Sequence, residues 1–67
     1  MAADNLHDAL NAEIVRNKEL LIEYERIPEG KLGAMIIKLA LRGAELAIQE
    51  QDLPKMIYYY NELKGSQ

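Results

Sequence analysis

Apolar residues recur every third or fourth position along almost the whole chain, which is the spacing of helices with a buried face. No stretch alternates apolar and polar residues as a half-buried strand would. The pattern breaks twice, at Ile27-Pro28-Glu29-Gly30 and at Gln51-Asp52-Leu53-Pro54. Proline ends one helix or opens the next, so the breaks predict three helices, over 5–27, 31–50 and 53–64. The expected fold is an all-α, three-helix protomer forming one domain over 1–67, frayed at 1–4 and 65–67.

Asp4 or Asn5 can cap the first helix by accepting a bond from the unpaired amides of its first turn. At about 100° per residue, Leu6, Ala9, Leu10, Ile14, Leu20, Leu21, Tyr24 and Ile27 share one face. Glu13 and Asn17 interrupt that face with polar groups. Val15 and Ile22 form a smaller apolar stripe on the opposite side, for which a monomer has no evident use.

The second helix is apolar over most of its circumference. Lys31, Lys38, Arg42, Glu45 and Gln49 fall within a sector of roughly 60°. Two neighbours could hardly cover the rest, so the pattern predicts a helical homo-oligomer, with a dimer favoured. Gly33, Ala40, Ala44 and Ala47 add a small-residue strip that would let another backbone come close. The expected interface between copies takes Ile37, Ala40, Leu41 and Ala44 from this helix and Glu13, Val15, Asn17 and Ile22 from the first. Glu13 and Asn17 would either pair across a symmetry axis and fix register, or line a polar pocket.

The third helix opens with Asp52 as a cap and Pro54 in its first turn, where a missing N–H is harmless. Leu53, Met56, Ile57, Tyr60 and Leu63 form its inward face, and Gly65 stops it. Tyr58 and Tyr59 project to either side, as rigid apolar area with polar tips suited to binding a protein partner. Ala44, Ala47, Asp52, Met56, Tyr60 and Leu63 resemble the turn of a tetratricopeptide repeat. The resemblance covers less than a third of the chain and implies helical-hairpin packing between the second and third helices, without a family assignment.

Composition narrows the chemistry. Of 67 residues, 49% are hydrophobic, which suits a folded core and argues against disorder. The absence of cysteine removes disulfides, thiolate catalysis and cysteine-bound zinc, and fits a reducing, cytoplasmic setting. A core this small is marginal by itself, which strengthens the expectation of a partner subunit. The N-terminal sequence lacks the pattern of a secretory signal, and no apolar run approaches the roughly 20 residues that span a bilayer.

Catalysis requires a nucleophile held beside an oriented base, and nothing here supplies one: His7 and Ser66 stand near opposite ends of the chain. No catalytic residue, metal ligand or cofactor is expected. With 8 basic against 11 acidic side chains, a net charge of −3 also disfavours nucleic acid. One segment could hold a small anion. Arg26, Gly30, Lys31 and Gly33 combine two cations with glycines at the start of the second helix, where the helix dipole favours negative charge.

The expected function is therefore non-enzymatic: a small interaction or regulatory protein, of the kind carried by phages and bacterial accessory genes, that binds a protein partner. The rival expectation is an oligomer that sequesters a small anion or nucleotide at the first interhelical turn or between subunits.

Overall fold

A computed structural model describes residues 2–65, with side chains from Leu6 onward. Three helices, α1 (Ala2–Arg26), α2 (Lys31–Glu50) and α3 (Leu53–Lys64), run antiparallel in succession, and a single 3₁₀ turn (Pro28–Gly30) joins the first two. The protomer is all-α, with the helices within a few residues of their expected bounds. Helix α1 begins at Ala2, so the backbone of Asp4 and Asn5 lies inside its first turns; their side chains, with Met1, Ser66 and Gln67, fall outside the described residues.

Local chemistry sets each reversal. Pro28 forbids the helical region to the residue before it, and Ile27 accordingly turns extended, with φ −110° and ψ 136°. Gly30 then closes the turn by donating its N–H to the Ile27 carbonyl at 3.0 Å. A Cβ there would strike the Tyr24 carbonyl oxygen, so this turn requires glycine on steric grounds.

The second reversal takes only two residues. Gln51 adopts a left-handed conformation (φ 56°, ψ 39°) and donates to the Ile48 carbonyl, while Asp52 N–H reaches the Ala47 carbonyl, each at 3.0 Å. These are the paired bonds of a Schellman ending. Asp52 immediately caps α3, its carboxylate accepting from Lys55 N–H at 3.3 Å. Glutamine is strained in the left-handed region and glycine is not. Gln51→Gly is therefore expected to stabilise the protein by about 0.5–1 kcal/mol, read as a higher urea midpoint at unchanged slope. A lower midpoint would show that the Gln51 side chain matters more than its backbone.

One core joins the helices: Leu10 and Ile14 from α1, Ile37, Leu41, Ala44 and Ala47 from α2, and Met56 and Leu63 from α3. The glycines and alanines of α2 allow its neighbours to sit close. The Tyr59 ring lies against Gly43 and the Tyr24 ring against Gly33, where a Cβ would overlap either ring. Outside the core, Lys18–Glu45 (3.1 Å) and Lys38–Glu25 (3.0 Å) link α1 to α2. Both pairs are largely exposed, so they align the helices more than they stabilise them.

Candidate interaction surface

The two polar residues on the core face of α1 act within the protomer. Asn17 is fully buried, and its amide nitrogen donates to the Glu13 carbonyl at 2.8 Å and the Leu63 carbonyl at 3.1 Å. Arg16 donates to the same Leu63 carbonyl at 2.8 Å and to the carboxylate of Glu13, which is half-buried beside it. The middle of α1 thus supplies donors for the last carbonyls of α3, groups that a helix end leaves unpaired. Gly65, at φ −78°, closes that end in an ordinary right-handed conformation and makes no use of its glycine freedom. Asn17 is not available to set register between copies.

The expected contribution of α2 to an interface is corrected in the same way. Ile37, Leu41 and Ala44 are buried against α1 and α3, and Ala40 is half-buried beside them. Val15 and Ile22 remain exposed on the back of α1. The small-residue strip marks the approach of α3 and Tyr24 from the same chain.

The open apolar surface of α2 lies elsewhere. Leu32, Met35, Ile36, Leu39 and Leu46 occupy a sector of roughly 100° between the buried face and the charged stripe. Leu32 is 68% exposed and Leu39 61%. Leucines 32, 39 and 46 stand seven residues apart, but so do Ala34 and Leu41, and Ile37 and Ala44, on the buried side, so the spacing alone does not single out the exposed row.

The row continues onto α3 through a groove of about 250 Å³ lined by Ile36, Leu39, Ala40, Tyr58, Tyr59 and Glu62. Tyr58 is more than half exposed and meets Tyr59 edge-to-face, with ring centroids 4.9 Å apart. The two tyrosines expected to touch a partner therefore do different things. Tyr58 faces outward, while Tyr59 is anchored on Gly43 and props it.

The anion segment is arranged for packing. The Gly30 N–H is already bonded to Ile27, and the Tyr24 ring covers Gly33, so the glycines do not form an open cradle. Arg26 and Lys31 are both exposed, and Lys31 borders a shallow groove of about 380 Å³ with Glu25, Ala34, Met35 and Lys38. There Glu25 already neutralises Lys38. Among the described residues His7 is exposed, no cluster of three or more metal-ligating side chains is found, and no helix is long and apolar enough to cross a membrane. No protein-family description, no curated protein and no solved structure matches this chain.

Proposed function

We propose that this protein is a non-enzymatic interaction protein that acts by laying the exposed apolar row of α2, extended by Tyr58, against a protein partner. The observation that carries the reading is the size and continuity of that row. Leu32, Met35, Ile36, Leu39, Leu46 and Tyr58 keep about half to two-thirds of their surface open on one side of a chain of 67 residues. Together they expose on the order of 600 Å², the upper end of what monomers leave open and near one side of a small specific interface. Scattered apolar residues need no explanation, but a continuous row bordered by charge does.

The groove beside Tyr58 gives the surface relief, and the edge-to-face tyrosine pair gives it rigidity, so little side-chain freedom is lost on contact. A photoreactive residue substituted at Ile36 is expected to form discrete covalent protein adducts in cells. The same group at the exposed Asn11 of α1 serves as the control. Adducts no more abundant at Ile36 than at Asn11 would refute the reading.

A further inference from the structure

Resting on that reading, we infer that the partner covering the α2 row is a second copy of the chain, packed antiparallel about a two-fold axis passing near Leu39. The row is centred on that residue: Leu32 and Leu46 lie seven positions to either side, so a two-fold at Leu39 sets each against the other in the second copy. Heptad spacing lets the leucines of one helix fill gaps between those of another over several turns. The contact closes on itself and buries both rows completely, which suits an area close to one side of a small interface.

Charge points the same way. The charged stripe along one edge of the row runs Lys31, Lys38, Arg42 and Glu45, three cations followed by one acid toward its C-terminal end. An antiparallel pair brings this edge alongside the same edge of the second copy in reverse, carrying each Lys31 toward a Glu45 that also holds Lys18 of its own chain at 3.1 Å. Lys38 and Arg42 of both copies would gather near the axis, where Glu25, 3.0 Å from Lys38 in the same chain, offsets part of their charge. A parallel pairing separates Lys31 from Glu45 and sets the helix dipoles side by side in the same direction.

The chain has no cysteine, so single introduced cysteines report geometry without background. Under mild oxidation, Leu39→Cys is expected to cross-link to itself. Leu32→Cys and Leu46→Cys should link to each other when mixed, and neither should link to itself. Leu39→Glu is expected to weaken dimerisation by at least about 100-fold in sedimentation equilibrium, because it buries unpaired carboxylates at the centre of the contact. Its far-UV circular dichroism should stay that of the parent, since Leu39 is exposed in the protomer. Lys31→Glu should weaken the dimer, and adding Glu45→Lys should restore it.

A wild-type chain that stays monomeric at ~100 μM overturns the inference. So does self-linking at both 32 and 46, or a dimer indifferent to Leu39→Glu. Adducts to other proteins at Ile36 alongside a monomeric chain would leave the proposed function standing and sink only this choice of partner. Absence of adducts at Ile36 would sink both.

Discussion

Replacing Asn17 with aspartate is expected to unfold the protein at neutral pH, whereas replacing it with leucine should leave it folded. The side chain is wholly enclosed, and its nitrogen points at two carbonyl oxygens. A carboxylate of the same shape would put negative charge against those oxygens, and the nearby Arg16 guanidinium is already engaged with the Leu63 carbonyl and the Glu13 carboxylate. Breaking a buried polar arrangement in this way costs about 3–5 kcal/mol. A chain of this length has only roughly 3–10 kcal/mol in total.

Leucine changes the balance differently. The Leu63 carbonyl keeps its bond from Arg16 at 2.8 Å, so losing the Asn17 amide leaves it paired. The Asn17 carbonyl oxygen, buried without a hydrogen-bond partner, disappears as well. Such an orphan costs about 1–3 kcal/mol, so Asn17→Leu should be neutral or stabilising.

Acid gives the aspartate variant a signature. Burial raises the folded-state pKa of the new carboxyl above its unfolded value near 3.9. A group raised in the fold is best tolerated below its unfolded pKa, and the variant loses stability as pH climbs toward the folded value. The gap between the Asn17→Asp variant and the parent, measured by urea unfolding, should therefore be small near pH 3 and full at pH 7. A gap independent of pH would mean that the carboxyl reaches water, and that position 17 is less enclosed than the structure shows.

The same residue shows where sequence reading stops. The helices were legible because their signals are local: Pro28 acts on Ile27, Asp52 on Lys55, and the apolar spacing on a single face. Asn17 was conspicuous as a polar residue in an apolar face, but its partner Leu63 stands 46 positions away. Nothing local says whether such a group answers to its own chain or to a second one. The small residues of α2 carry the same ambiguity, since Gly33 and Gly43 mark close approach without saying that Tyr24 and Tyr59 do the approaching. The excess of apolar surface on α2 was readable from composition. Its direction required knowing which side α1 and α3 occupy, and that placed the opening at Leu32, Leu39 and Leu46.

The three helices should also fail as one unit, which Leu63→Ala would reveal. Helix α3 has 12 residues, too few to persist alone in water, and Met56 and Leu63 are its fully buried anchors. The substitution keeps the carbonyl that Arg16 and Asn17 hold and removes only the side chain from the core, a loss of about 3 kcal/mol. For a domain this small the melting temperature should fall by about 15–20 °C. Detaching α3 would expose Leu10, Ile14, Ala44 and Ala47, and the remaining pair of helices would have too little buried surface to survive. Hydrogen exchange should therefore show amides at Ile14, Ile37 and Met56 losing protection together and by similar free energies. Loss confined to α3 would instead make α1 and α2 a stable hairpin by themselves, with the third helix an appendage that opens and closes over it.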